Sequence, residues 1–470
     1  MSPGEGFLER EVKLSPSARL DLGTLAGEPL EQRSFYSTYY DTDERVLAGL
    51  GITLGRRVEH GASLWQLKLP RSGGRLELER PGGPAGPPAR IAGVLRTVLR
   101  GSELHPVATL RTLRRGVRVH AEASTADVVL DAVAVMEDLR VVSRFDELEI
   151  ELVDGDARDL REFERMVRRA GAEDSDQRPK ALRVIGAPPR SRRSSQLQAF
   201  FATRYREILL HDPGTRLGDD PEDLHDLRVA VRRMRAILRL AAPPLDEAWA
   251  TSLRDELKWL GNALGAVRDL DVLLEHLHTE QQSLPRDDAK AFKPLLGRLE
   301  RERAAKRKAL LQVMRSARYS ALLDRLEEAA HRPQTRSARP QVGKIAAREF
   351  RKLGKAVREL GDEPSDEALH RVRIKGKRAR YAAELAAPNV GKKVDRVLAA
   401  AKAFQDVTGK HQDAVVALQR LRALAAESTQ EGAFAAGRIA EREGERMRAA
   451  RDEMPRAWRR LERAGKRAWT

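Results

Sequence analysis

The feature that most limits what this chain can become is a duplication. A histidine heads a basic stretch twice, as His225-Asp-Leu-Arg-Val-Ala-Val-Arg-Arg-Met-Arg235 and as His370-Arg-Val-Arg-Ile-Lys-Gly-Lys-Arg-Ala-Arg-Tyr381, with the copies 145 positions apart. In each copy basic residues follow at +3, +7 and +10: Arg228, Arg232 and Arg235, then Arg373, Lys377 and Arg380. On a helix these positions share an arc of about 80°, so each copy presents one cationic stripe. The copies continue, with Leu264-Gly-Ala-Val-Arg-Asp269 answered by Thr408-Gly-Lys-His-Gln-Asp413, now 144 apart. One residue of slip is what a duplicated domain with a loop insertion shows, and the period is far too long for a solenoid. The duplication predicts two helical half-domains, each with one stripe.

Charge follows the same division. Up to Gly186 there are 28 Lys and Arg against 30 Asp and Glu; beyond it there are 59 against 40, so the net +17 belongs to the second part. Such a field selects a polyanion as partner. Cysteine is absent, which excludes disulfides, thiolate metal sites and a cysteine nucleophile. No apolar run follows Met1 and no apolar stretch reaches spanning length, so neither a signal peptide nor a membrane segment is expected, and the expected location is the cytoplasm. Ala187-Pro-Pro-Arg-Ser-Arg-Arg-Ser-Ser195 has no periodicity and reads as a linker. It separates a domain at 1–186 from one at 196–470 that repeats over about 196–335 and 342–470. Pro213-Gly214, Pro243-Pro244, Pro285, the 332–341 stretch and Pro388-Asn389 are expected to punctuate its helices.

The first domain reads as β. Phe7 to Leu14 alternates, with Glu9, Glu11 and Lys13 on one face and Leu8, Val12 and Leu14 on the other. Asp146 to Leu152 does the same with Glu147, Glu149 and Glu151, and Arg75-Leu-Glu-Leu-Glu79 is a third case. Further strands are predicted at 34–41, 52–59, 63–69, 107–120 and 127–135, helices at 90–100 and 157–170, and a loop at 81–89. Charged faces on several strands of one sheet either look at solvent, leaving only the other side to bury against a few helices, or line the interior of a sheet that closes, with the apolar faces packed outward against helices.

Carboxylates at Glu9 and Glu11 share a strand face and would hold a hard divalent cation, Mg²⁺ or Mn²⁺, with Glu147, Glu149 and Glu151 as further oxygen donors. Lys13, Arg56, Arg57, Lys68, Arg111, Arg114 and Lys180 are the candidates for phosphate oxygens. A lining of both signs suits a metal-bound polyphosphate. Asp131 reads as the start of a turn rather than as an inner acid. No Gly-rich phosphate loop, HExxH or GxSxG is present.

Glu9-Arg-Glu-Val-Lys13, Tyr39-Tyr-Asp-Thr42, Trp65-Gln-Leu-Lys-Leu-Pro70, Glu147-Leu-Glu-Ile-Glu-Leu152 and Pro179-Lys180 together resemble a CYTH domain, the triphosphate tunnel metalloenzyme superfamily, over roughly 5–186. The resemblance implies an eight-stranded antiparallel tunnel with flanking helices that binds triphosphate compounds with divalent metal. Members hydrolyse inorganic tripolyphosphate or thiamine triphosphate, or cyclise ATP. One departure stands out: Gly55 occupies the place of the first arginine of an expected Arg-x-Arg, Arg57 keeps the second and Arg56 lies between.

His225 and His370 with their basic followers, Leu264 to Asp271 and Gln405 to Asp413 resemble a CHAD domain over about 196–470. That resemblance implies two pseudo-symmetric four-helix bundles with a basic surface for inorganic polyphosphate. Arg268 and Lys410 would add contacts, and the histidines would touch phosphate or fix a helix through Asp269 or Asp413. Aromatic residues make up only 4% of the chain, which argues against a single-stranded nucleic-acid platform, because those interleave aromatics with basic groups. The reading is then an α+β multidomain protein: a metal-dependent triphosphatase tunnel with Glu9, Glu11 and Lys13 at its catalytic centre, followed by a polyphosphate-binding helical domain, associated with polyphosphate bodies. The alternatives are a non-catalytic polyphosphate binder with a sensor or relic tunnel, and a duplex nucleic-acid binder.

Overall fold

The computed structural model describes residues 6–469 apart from 72, 122–123, 187–194, 241–244 and 336–340. The expected linker and the Pro243-Pro244 break therefore lie outside the described residues, except for Ser195. The chain divides into two compact units, Met1–Arg193 with Leu209–Asp220, and Ser194–Ile208 with Pro221–Thr470.

In the first unit one antiparallel sheet is built from β1 (Phe7–Glu9), β2 (Glu11–Pro16), β3 (Gly27–Asp41), β4 (Thr53–Glu59), β5 (Ala62–Arg71), β6 (Gly74–Pro81), β7 (His105–Ala121), β8 (Ser124–Glu137), β9 (Arg140–Asp154) and β10 (Ala172–Asp174). Helices α1 (Val46–Leu50), α2 (Ala89–Leu99), α3 (Leu160–Arg169) and α4 (Lys180–Ile185) flank it. The strand order is β1-β6-β5-β4-β3-β7-β8-β9-β2-β10. Two strands far apart in that order are consecutive in the chain: β1 pairs with β6, β2 pairs with β9, and only Arg10 separates β1 from β2. The Arg10 carbonyl accepts from the Leu152 amide at 2.9 Å, so the ladder continues across the break and the sheet returns on itself. The count is ten strands where eight were expected. The N-terminal strand is split at Arg10, and β10 pairs with the far end of β2.

The pleat then sorts the side chains. Leu14, Leu67, Leu69, Leu78, Leu148 and Ile150 are buried on the outer face, and Phe163 and Val167 of α3 pack against part of that layer. The charged partners of those strands face the opposite way. The inverted arrangement expected from the alternation is therefore present.

The rest of the chain forms helices: α5 (Gln196–Leu217), whose residues from Leu209 on are counted with the first unit, and, in the second unit, α6 (Pro221–Leu240), α7 (Glu247–Gln282), α8 (Arg286–Arg315), α9 (Ala317–His331), α10 (Val342–Arg358), α11 (Asp366–Val390), α12 (Lys392–Ala426) and α13 (Gln430–Trp469). The stripe helices are α6 and α11, and the second motif of each copy lies on α7 and α12. Pro213 does not interrupt α5, contrary to expectation, whereas Pro285 caps α8. The repeats also differ: α8 and α9 break at Ser316, where the second copy has the single helix α13.

Helices α10 to α13 share one core, with Leu353, Val372, Phe404 and Trp458 each contributed by a different helix. Gly376 lies close to the Phe404 ring, where an added Cβ would come within 3.1 Å. A further core joins the copies, because Leu273 and Leu277 of α7 and Leu295 of α8 pack with Leu421 of α12 and Ile439 of α13. Two self-contained bundles would lack that shared core. No helix among the described residues is long and apolar enough to cross a membrane.

Phe404 is fully buried where α11, α12 and α13 meet. Phe404→Ala is expected to destabilise the helical unit by about 3–5 kcal/mol, the usual cost of deleting a buried ring. A lower urea midpoint for the helical transition would show it.

Candidate functional site

The returning sheet encloses a cavity of about 290 Å³. Its lining comes from the inward positions of nearly every strand: Glu9 of β1, Glu11 and Lys13 of β2, Ser37 and Tyr39 of β3, Gly55 and Arg57 of β4, Gln66 and Lys68 of β5, Arg75, Glu77 and Glu79 of β6, Arg114 of β7, and Glu149 and Glu151 of β9. Lys180, at the first position of α4, closes one side. Strand register sets opposite charges side by side: Lys13 faces Glu149, Lys68 faces Glu77, and Arg114 faces Asp131. Such cross-strand neighbours interact directly.

Ion pairs follow from that register. Lys13 Nζ reaches Glu11 and Glu147 at 3.3 Å each and also bonds Glu149. Lys68 holds Glu9 at 2.7 Å and Glu77 at 3.0 Å. Arg114 spans three carboxylates, Asp131 at 2.7 Å, Glu149 at 2.8 Å and Glu151 at 2.9 Å. Lys180 bonds Asp131 and lies 3.4 Å from Glu147 and Glu149. Burial works against the charge of Glu149, yet Lys13, Lys180 and Arg114 outweigh it and hold the carboxyl well below its usual range. Burial also opposes the charge on Lys13, but Glu149, Glu11 and Glu147 keep that amine above the ordinary lysine value. Glu77 and Glu147 are pushed up to about 7, chiefly by burial. Burial, reinforced by Glu149, raises Glu11 as well.

The lining carries six acidic and eight basic side chains, near balance. A polyphosphate entering this space adds several negative charges beside carboxylates. Hard oxygen donors facing phosphate are the donor set that Mg²⁺ or Mn²⁺ satisfies, so the residues present fit such an ion.

Of the residues expected here, Glu9, Glu11, Lys13, Arg57, Lys68, Arg114, Glu149, Glu151 and Lys180 line the cavity. Glu147 does not; it is fully buried beneath Lys13 and Lys180 and is also bound by Arg183 at 3.0 Å. Arg56 and Arg111 are corrections. Cavity positions on their strands are Thr53, Gly55 and Arg57, and Thr112 and Arg114, so pleat parity turns Arg56 and Arg111 to the other face. Asp131 is a second correction: it does not start a turn but lies inside β8, fully buried against Arg114 and Lys180.

Arg33, Tyr39, Gln66, Arg75, Glu77 and Glu79 were not assigned from sequence. Arg75, Glu77 and Glu79 did carry a signal, since they are the charged face of an alternating strand. Gly55 lines the cavity under the Tyr39 ring, and a Cβ there would come within 3.1 Å of Tyr39 Cε1. Arg57 lies over the Phe35 ring at 4.4 Å, and its buried Nε has no hydrogen-bond partner among the described residues.

In the helical unit the two stripes meet. Arg232 Nε of α6 donates to the Tyr381 hydroxyl of α11 at 2.7 Å, and Arg233 pairs with Glu384 at 3.4 Å. Arg228, Arg232, Arg373 and Lys377 stand close enough to perturb one another, with Asp269 and Asp413 as the nearby acids. Burial first, then Arg373, Arg232 and Arg228, pull Lys377 down to about 7. Asp269 pairs with Arg228 at 2.9 Å rather than with a histidine, and His370 Nδ1 contacts Gln412 Oε1 at 2.5 Å. Gly265 lies under the Arg228 guanidinium. His225 is half-buried and held below its usual pKa by burial and by Arg268, which itself pairs with Glu222 at 3.1 Å. Arg380 is bound by Glu384 at 3.1 Å and Gln405 at 2.9 Å, Arg235 lies near Arg254 and Asp255, and Lys410 is exposed. The cluster that faces itself is thus Arg228, Arg232, Arg373 and Lys377.

Comparison with known proteins finds the CYTH domain model matching residues 8–180 and the CHAD domain model matching 199–422. An uncharacterized Mycobacterium tuberculosis protein, MT2285, is 29% identical over 507 aligned positions, covering 97% of this chain and 96% of its own. Among solved structures, the CHAD domain from the plant Ricinus communis is 30% identical, with a TM-score of 0.42, over 56% of this chain and 96% of that one. PptA from Streptomyces chartreusis is 24% identical, with a TM-score of 0.48, over 56% of this chain and 98% of its own.

Removing one buried partner leaves the others uncompensated, which typically costs about 3–5 kcal/mol. Asp131→Ala, which strips a shared acid from Arg114 and Lys180, is expected to lower the sheet unit's stability on that order. Calorimetry that resolves the two units would show the sheet transition moving and the helical one staying.

Proposed function

The chain belongs to the CYTH and CHAD families, as a CYTH domain followed by a CHAD domain, and we propose that it hydrolyses tripolyphosphate or a related short phosphate chain in its tunnel and binds long inorganic polyphosphate on its helical unit. The observation that carries the reading is the tunnel lining, where carboxylates and cations alternate around one enclosed space. Glu9, Glu11, Glu149 and Glu151 would hold Mg²⁺ or Mn²⁺, which when bound neutralises phosphate charge and polarises the phosphoryl group. Lys13, Arg57, Lys68, Arg114 and Lys180 would receive the phosphate oxygens. Arg57 has an unused donor for this, and the others would exchange carboxylates for phosphate. Closure of the sheet limits bulk water, which strengthens each of these contacts and leaves water to attack the terminal phosphoryl in line.

On the helical unit, Arg228, Arg232, Arg373 and Lys377 gather more positive charge than Asp269 and Asp413 offset. A flexible polyanion without bases meets that need through charge alone. Tyr381 is buried, with its hydroxyl held by Arg232, so its ring offers little surface as a stacking platform.

One observation favours a second reading, a binding protein with a non-catalytic tunnel. Gly55 places no side chain in the lining, and a Cβ added there would sit 3.1 Å from the Tyr39 ring, which would have to give by a few tenths of an ångström. Phosphate release from tripolyphosphate separates the two. Metal-dependent release that falls at least about a hundredfold in Glu9→Ala or Glu11→Ala, with long-polyphosphate affinity unchanged, supports the enzyme. A folded chain that binds polyphosphate and releases nothing supports the binder.

Lys377 gives a separate test on the helical unit. Its amine is charged below about 7 and neutral above, and a bound polyanion favours the charged form. Polyphosphate affinity is therefore expected to fall as pH rises through 7, by at most about tenfold per pH unit for one proton. Lys377→Arg, charged throughout, should flatten that profile in a binding titration.

A further inference from the structure

We propose that His276, Glu280 and Glu443 form a binding site for a single divalent transition-metal ion of the zinc class, tying α7 of the first repeat to α13 of the second. His276 and Glu280 stand one helical turn apart on α7 and so share a face. Glu443 reaches them from α13, and one donor atom from each of the three lies within 4.8 Å of the others. The site is distinct from the tunnel and from the stripe residues.

Two observations point to a cation. Glu443 is fully buried, and its Oε2 has no hydrogen-bond partner among the described residues. A buried carboxylate oxygen left without a partner carries its full desolvation cost. The second is a cation already seated there. Glu443 Oε1 is 2.6 Å from His276 Nε2, and Arg446 Nη1 lies against the imidazole, 2.5 Å from Nε2 and 3.0 Å from Nδ1, and 3.2 Å from Glu443 Oε1.

With Nε2 protonated, the imidazole donates to Glu443 Oε1, and Arg446 lies against the ring rather than in line with a nitrogen lone pair. A positive charge thus already stands beside both groups, and a metal ion held by the imidazole and carboxylate lone pairs would displace it. The Arg446 side chain is 44% exposed and is free to swing into solvent. Glu280, held by Arg442 at 3.1 Å, completes the set from the rim.

The donor set selects the ion. One imidazole nitrogen with two carboxylate oxygens suits zinc-class ions better than Mg²⁺, which takes oxygen alone. The site lies beside the shared core, where Leu277 and Ile439 flank His276 and Glu443 in sequence. An ion there would brace the packing that joins the repeats.

The test uses the full chain with Glu9→Ala and Glu11→Ala in place, so that the tunnel keeps only part of its carboxylate set and the excess Mg²⁺ competes for what remains. After chelator treatment, Zn²⁺ and Co²⁺ are titrated in excess Mg²⁺ and followed by calorimetry and by the Co²⁺ absorption spectrum. Expected are one equivalent bound, a nitrogen-ligated Co²⁺ spectrum and a Zn²⁺-dependent rise in the helical unit's melting temperature. His276→Ala and Glu280→Gln should each weaken binding by more than about tenfold, since even an outer-shell partner is worth roughly 10–100-fold. Arg446→Ala should tighten it, because the competing cation is gone.

A purely structural ion network predicts the opposite for that last variant, lower stability and no gain in metal affinity, and that result overturns the proposal. So does stoichiometric binding that survives His276→Ala and Glu280→Gln. Should His276→Ala fail to fold, Glu280→Gln at the rim and Arg446→Ala still decide.

Discussion

The sheet unit depends on keeping Glu149 charged in a buried place. Three cations, Lys13, Arg114 and Lys180, converge on it from two strands and a helix. A lone carboxylate moved from water into such a site would take up a proton instead, because the desolvation cost exceeds what a single pair returns. The sheet must therefore close, so that cations from distant strands arrive together, and its apolar residues must face outward. Leu148 and Ile150 on the outer face and Glu149 on the inner face are consequences of one pleat. The same network leaves the tunnel near electrical balance without a ligand, so an anion entering it would have to exchange partners rather than fill an unscreened cationic hole.

The helical unit handles charge in the contrary way. Arg228, Arg232, Arg373 and Lys377 are gathered from both repeats against only Asp269 and Asp413, and burial, then the three arginines, pulls the Lys377 amine down to about 7. Like charges held together by helix packing lower the stability of the free protein, a conflict between local electrostatics and fold that is characteristic of binding sites. The cores supply the rigidity that keeps the cluster assembled. Gly376 of α11 lies against Phe404, and Leu421 and Ile439 pack with α7 and α8 of the other repeat.

Much of this was legible in sequence because period and parity are local. Alternation placed the strands of the tunnel, and the histidine-headed stripes placed α6 and α11. Parity failed only where a basic run offered two choices: Arg56 beside Arg57, and Arg111 beside Arg114. Asp131 was misread because an isolated acid among apolar residues carries no pattern of its own; its reason is Arg114 on the paired strand, which only register reveals. The split of the first strand at Arg10 was hidden likewise, since a break in pairing leaves no mark on alternation. The shared core of α7, α8, α12 and α13 was beyond reach, because helical period gives the apolar face and not the helix that covers it.

Gly55 shows how such a departure is absorbed. It adds no side chain to the lining where the resemblance leads one to expect an arginine, yet the lining is not acidic. Arg75 and Arg33, neither assigned from sequence, also face the cavity, and Arg57 remains over the Phe35 ring with a donor unused. The Tyr39 ring meanwhile occupies the room above Gly55, so restoring an arginine there would press its Cβ against that ring. Position 55 and position 39 are therefore one steric unit across paired strands. A side chain at position 55 depends on how far the Tyr39 ring can shift, and the cations of the lining come from other strands.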